Sequence, residues 1–178
     1  MIYKKSWKYI LTEFVSGGPI FLAKPGKSKC YQIKAVKNFG GIKKDDIGGY
    51  LDGYYNLSQT GKCWVKGKAS IKERAVISGN ARISGKAQIY GRAQVSGNAK
   101  VYGYANIYGK ARVYDNARVF NNASVYKKAK VYGNAKICDD ATVRDNAQVY
   151  DNAYIGGFAV IEGNAKIGNQ LIIKGYIG

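Results

Sequence analysis

Lys110, Arg112, Lys128 and Lys130 recur at an interval of 18 residues, and Tyr114 and Tyr132 recur in step with them. Cationic groups set beside aromatic rings suit ligands that carry phosphates and bases. Arg92 lies 18 residues before Lys110 and completes the densest group: Arg92, Lys110, Arg112, Lys128 and Lys130, bordered by Tyr114 and Tyr132. A second basic series, Arg82, Lys100, Arg118 and Lys136, keeps the same interval. These residues are the candidate ligand-binding set.

The overall charge points the same way. Formal net charge is +18 in 178 residues, which favours an anionic partner such as nucleic acid, nucleotide, an acidic protein or anionic lipid. The charge is uneven along the chain. Residues 63–136 carry 15 Lys and Arg against Glu73 and Asp115, whereas residues 137–178 carry three basic residues against five acidic ones. Like charges about 5 Å apart repel by about 0.8 kcal/mol even in water. Repeating them at close spacing is unfavourable without counter-charge.

Other chemistries are excluded by residue type. The chain has no His, which removes Ser-His-Asp and Cys-His nucleophile systems and most zinc sites. Cys30, Cys63 and Cys138 are odd in number and show no CxxC spacing. They argue against a disulfide framework and suit a reducing compartment. Asp139, Asp140, Asp145 and Asp151 read as corner residues rather than an acid/base pair. "GKS" at 26–28 imitates the end of a phosphate-binding loop, but Phe21 stands where its first Gly is required. No catalytic residue, metal or cofactor is expected. Glu13 interrupts the basic N-terminal segment, and no apolar run is long enough to span a membrane. A cytoplasmic, non-membrane protein is expected.

The elements that position these residues follow from a period of six. Val or Ile stands at every sixth position from Val65 to Ile173, without insertion, and Ala follows four residues after each from Ala69 to Ala165. A helix of 3.6 residues per turn would scatter such positions round its cylinder. In a strand, Ala and the aliphatic two residues later share one face. Gly, Asn and Asp after each strand tolerate the positive φ of a tight corner. Each hexad is therefore one short strand and one corner, and three hexads make a coil of 18 residues. Residues 65–172 make about six coils, a prism about 29 Å long at 4.8 Å per coil.

Residues 18 apart stack on adjacent coils, so the faces can be mapped. Asn80, Asn98, Asn116, Asn134 and Asn152 form a corner column suited to amide hydrogen bonds along the axis. Tyr90, Tyr108 and Tyr126 form an aromatic column, as do Tyr114, Tyr132 and Tyr150, and Tyr102 stacks with Phe120. Such cross-strand pairs contribute roughly 0.2–1 kcal/mol each. Near the C-terminus, Tyr154, Phe158, Val160, Ile172 and Tyr176 occupy outward or corner positions that are polar in earlier coils. Clustered exposed apolar groups suggest an interface, here a homo-oligomer of two or three chains.

Residues 1–46 lack the period. "KYILTEFV", "PIFLA" and "CYQIKAV" read as short strands of an N-terminal β cap covering the open end of the prism. Residues 47–64 read as a degenerate first coil, with Ile47, Leu51, Leu57 and Cys63 in phase and Gly53 and Gln59 breaking it. Cys63 is then a core residue. The repeat proper is 65–178.

An aliphatic at i with a small residue at i+4 is the hexapeptide-repeat signature, and residues 63–178 resemble the left-handed parallel β-helix proteins. The left hand is implied by that resemblance; the general rule for parallel crossovers favours the right. Most enzymes of this fold are acyltransferases with a His general base, often trimeric; this chain lacks the His and the acceptor-site loop. The segment "DDIGGYLDGYYNLSQTGKCWV" (45–65), followed by repeats of the form "VYGNAK", resembles hexapeptide-repeat proteins encoded by phages and prophages. The resemblance implies a mobile-element origin. The function expected is non-catalytic binding of nucleic acid or nucleotide, used to block or sequester a host defence component. The alternatives are a module binding an acidic protein and a diverged acyltransferase.

Overall fold

The computed structural model describes residues 7–12 and 30–178. "PIFLA" lies outside the described residues. The chain forms an all-β parallel solenoid of about seven turns, closed at its N-terminal end by antiparallel strands. Among the described residues there is no α-helix, and no helix is long and apolar enough to cross a membrane.

The hexads fold as their spacing requires. Two-residue strands such as Arg112–Val113, Arg118–Val119 and Ser124–Val125 place the aliphatic inside and its neighbour outside. They line up in three sheets, one per side of the prism. Successive coils pair in parallel with an 18-residue register: Arg112 with Lys130, Arg118 with Lys136, Ser124 with Thr142. The core is a column of Ala and Val or Ile with no solvent exposure, from Val65 to Ile161 apart from Ile83 at 1%. Backbone bonds run through the corners as well as the strands, for example Lys110 N–H to Lys127 O at 2.6 Å and Tyr114 N–H to Val131 O at 3.0 Å. Each outward side chain is thereby held at one height on the prism.

The corners use left-handed backbone at the second residue after each core aliphatic. Gly fills most of them, but Asp115, Asn121 and Lys127 adopt φ of 55–56° there. At Gly103 a Cβ would lie 2.8 Å from the backbone nitrogen of Asn121 on the next coil. Stacked corners approach that closely, so they favour residues without a side chain.

The segment 47–64 is a full coil with a longer register, which adds a turn to the six counted from the repeat. Leu51 stacks on Ile71 and Leu57 on Ile77, each 20 residues apart, before Val65 restores 18 by pairing with Ile83. Ile47 begins this coil but is 52% exposed, so the expectation of a core role fails there. Cys63 is buried, one residue before the Trp64–Arg82 pair, and so occupies the level of Ala81.

The last coil slips. Only two residues separate Gly168 from Leu171, where three separate Tyr150 from Tyr154, and Leu171 pairs with Tyr154. Ile172 therefore turns inward onto Ile155, and Ile173, in phase by spacing, is 56% exposed.

The cap strands are β1 (Tyr9–Thr12), β2 (Tyr31–Ala35) and β3 (Ile47–Leu51). β2 pairs antiparallel with both β1 and β3, and β3 then pairs in parallel with Ser70–Ile71. β3 is thus the junction between cap and solenoid. Lys8 precedes β1 and is buried. Its Nζ donates to the carbonyls of Thr60 (3.1 Å) and Cys63 (3.2 Å) and to Cys63 Sγ (3.2 Å), with Gly61 O at 3.5 Å. Burial lowers its pKa, against the opposing attraction of Cys63.

Candidate anion-binding surface

The register brings the candidate patch together on one side and one corner of the prism. Arg112 and Lys130 are paired neighbours on adjacent coils, flanked by Gln94 below and Gln148 above. Arg92, Lys110 and Lys128 stand along the preceding corner, all exposed. Two shallow depressions lie here. One is lined by Gln94, Ser96, Arg112, Tyr114 and Lys130; the other by Glu73, Arg74, Gly91, Arg92, Gly109 and Lys110. In the second, the Glu73 carboxylate accepts from Gly91 N–H at 2.9 Å.

Glu73 is the acidic side chain lining these depressions, and among the described residues no member of the patch is in an ion pair. Ion pairs among the described residues are Lys34–Asp45, Lys127–Asp145, and Arg144 with Asp145 and Glu162. None involves a member of the candidate set. Adjacent cationic side chains are therefore rooted about 4.8 Å apart along the axis, without an ion-pair partner.

The second basic series also stacks as spaced, in the order Arg82, Lys100, Arg118, Lys136, with Trp64 before it and Tyr154 after it. Lys100, Arg118 and Lys136 are exposed. Arg82 is not free: its guanidinium donates to the Gly40 carbonyl of the cap. It is a cap anchor, a role that sequence spacing hides because Gly40 is 42 residues away.

The aromatic columns form as expected, in a geometry that alters their use. Tyr114 and Tyr132 stack at 5.0 Å and 2°, Tyr132 and Tyr150 at 5.4 Å and 14°, and Tyr102 and Phe120 at 5.0 Å and 7°. Tyr90, Tyr108 and Tyr126 stack at 4.9 and 4.6 Å. The rings cover one another's faces, so a ligand meets mostly their edges. Burial, and then the neighbouring phenols, push Tyr108, Tyr114 and Tyr132 above the ordinary tyrosine range. A raised folded-state pKa means the native state keeps its proton longer than the unfolded chain. The stabilisation is complete below the unfolded value near 10 and is lost as pH rises through the folded values. Tyrosinate absorbance should rise later in folded than in urea-unfolded protein, and thermal stability should fall above about pH 10. Coincident titration curves would contradict this.

The Asn column is a continuous amide ladder. Asn80, Asn98, Asn116 and Asn134 each donate to the next at 3.0–3.2 Å, and Asn152 passes the chain to Asn169 at 3.1 Å. Its role is structural.

The 18-residue interval also joins Lys86 to Tyr104 on an exposed corner. Lys86 Nζ donates to Tyr104 OH at 2.8 Å and sits 4.7 Å from the ring centroid. The lysine lowers the phenol's pKa.

At the C-terminal end, Phe158 and Tyr176 are 78% and 63% exposed, while Tyr154 and Val160 are half-buried. Cys138 Sγ lies 3.0 Å from Tyr154 OH, and that contact, followed by burial, pushes the phenol's pKa up to about 12. Ile172 leaves the expected interface set because the shortened corner turns it into the core. Leu171 and Ile173 are exposed in its place.

Three consecutive stretches, 75–91, 93–109 and 111–127, match the YdcK β-solenoid repeat model. The chain is a β-solenoid repeat protein. Each matched stretch begins on a core Ala, and their starts are 18 residues apart, the length of one coil. The single residues between them are Arg92 and Lys110 of the basic corner. No curated protein matches the chain.

Proposed function

We propose that this solenoid is a non-catalytic binding protein that holds an anionic ligand, nucleic acid or nucleotide, on its basic and aromatic surface. The carrying observation is the stack of Arg92, Lys110 and Lys128 beside Arg112 and Lys130, none of them ion-paired among the described residues. A solenoid needs its Ala, Val and corner residues to fold; it has no need of cations in register. The hexapeptide signature of 63–178 supports a left-handed winding, and the likeness of 45–65 and the following repeats to phage-encoded hexapeptide proteins supports a use in the host cytoplasm, blocking or sequestering a defence component. That biological step is analogy from fold and repeat.

The test is a Lys110→Glu/Lys128→Glu double reversal. Charge-assisted bonds to phosphate contribute roughly 1.5–3 kcal/mol each, so affinity for a single-stranded oligonucleotide or a nucleotide should fall at least tenfold. The slope of log affinity against log salt should become shallower by about one for each phosphate no longer neutralised. Unchanged affinity and slope would remove the patch from the function. A second reading, self-association, is favoured by the exposed Phe158, Leu171, Ile173 and Tyr176 at the least basic end of the chain. There two copies would meet with the least charge repulsion.

A further inference from the structure

We infer that the point where the tyrosine column gives way to Ser96 is a slot for a single nucleobase, and that the ligand of this surface is a mononucleotide. The inference rests on the anion-binding reading above and names the ligand class of the same site. In the column Tyr150, Tyr132, Tyr114, each ring covers the next. One coil below Tyr114 the column position is Ser96, as the Gln94–Arg112 register requires. The coil spacing of about 4.8 Å is the height of one ring in this stack. A ring is therefore missing there, and the Tyr114 face towards Ser96 is uncovered. The depression at this place is lined by that tyrosine together with Gln94, Ser96, Arg112 and Lys130.

A purine or pyrimidine laid over Ser96 would continue the tyrosine stack by one member. The Gln94 amide and Ser96 hydroxyl make no hydrogen bond among the described residues, so they are free to meet the base edge. Arg112 is two strand residues from Tyr114, about 6.6 Å along the chain, a separation that suits a base and the phosphate of its own nucleotide. Its planar guanidinium, with Lys130 above, offers a forked phosphate site. Proteins that bind single strands along their length offer successive aromatic faces to successive bases. Here the inner faces are already covered, so one base is accommodated rather than a run of them. Tyr102 also ends its stack over a serine, Ser84, but the neighbouring Arg82 is bound to the cap carbonyl of Gly40. There Arg82 holds the place of Gln94 and Lys100 the place of Arg112, so that slot has neither a free amide for the base edge nor a guanidinium two residues before its ring.

The deciding variant is Ser96→Tyr. It fills the slot with a ring that the column geometry accepts, and it removes no charge. Calorimetry with AMP, GMP, CMP and UMP should show binding of at least one to the unaltered protein. Ser96→Tyr should weaken that binding about tenfold or more, the worth of one base–aromatic stack. Ser84→Tyr, the same ring added at the other stack, should leave it unchanged. Ribose 5-phosphate should bind more weakly than the nucleotide by a similar factor. Equal nucleotide binding by Ser96→Tyr, or equal binding of ribose 5-phosphate and nucleotide, would overturn the slot. Salt-dependent oligonucleotide binding that persists in that case would show that the anion-binding reading survives without it. An unaltered protein that binds neither nucleotide nor oligonucleotide at low salt would end both.

Discussion

Val113→Asp should abolish the solenoid, read as loss of β circular dichroism and of a cooperative thermal transition. Val113 has no exposure and lies mid-prism, paired to Val95 below and Val131 above. A carboxylate there meets only aliphatic groups. Removing a charge from water without a partner costs several kcal/mol, a large part of the roughly 5–15 kcal/mol that holds a domain together. The architecture amplifies the damage. Each coil touches only its neighbours, so stability is a sum over adjacent coils, and a defect at one level uncouples the stack on either side. Val113→Ile is the contrast: it adds one methylene, and overpacking costs about 1–3 kcal/mol. A Val113→Asp protein with a wild-type melting profile would mean that the core is not dry.

Lys8→Met should lower the melting temperature by about 4–8 °C and loosen the cap selectively. Methionine keeps the apolar stem but donates nothing to Thr60 O, Cys63 O or Cys63 Sγ. Two effects compete. Losing a buried cation relieves desolvation, the main cause of the lowered lysine pKa. The carbonyls left behind cost roughly 1–3 kcal/mol each when buried without a donor. Because the lysine's charge is already compensated by several oxygens, the orphaned acceptors dominate, with a net loss of about 2 kcal/mol. Amide exchange should accelerate in Tyr9–Thr12 and Tyr31–Ala35 and stay slow in the middle coils. An unchanged melting temperature with unchanged exchange would show that the plug carries no stability.

The repeat was readable because its cause is local. A period of six, with Ala four residues after each aliphatic, determines which side chains face inward, and the same arithmetic stacks Arg112 under Lys130 and Tyr114 under Tyr132. Where the arithmetic changed, reading by phase failed. Ile173 keeps the period but is exposed, since one residue fewer in the preceding corner turns Ile172 inward. Ile47 keeps it too, yet the first coil spans 20 residues and takes Leu51 instead. The cap-binding roles of Lys8 and Arg82 carried no signal, because their partners are carbonyls 42 to 55 residues away.

By itself the sequence determined the strands, the corners, the three-sided coil and the columns of charge and aromatic rings. Those depend only on neighbours within a coil and on a constant rise between coils. The tertiary structure decided which of these groups remain available. Arg82 is taken by the cap, the tyrosine faces are taken by one another, and one face at Tyr114 is left uncovered over Ser96. Availability depends on what lies one coil away and across the cap junction. Spacing fixes a residue's position in a column but not which atoms cover it.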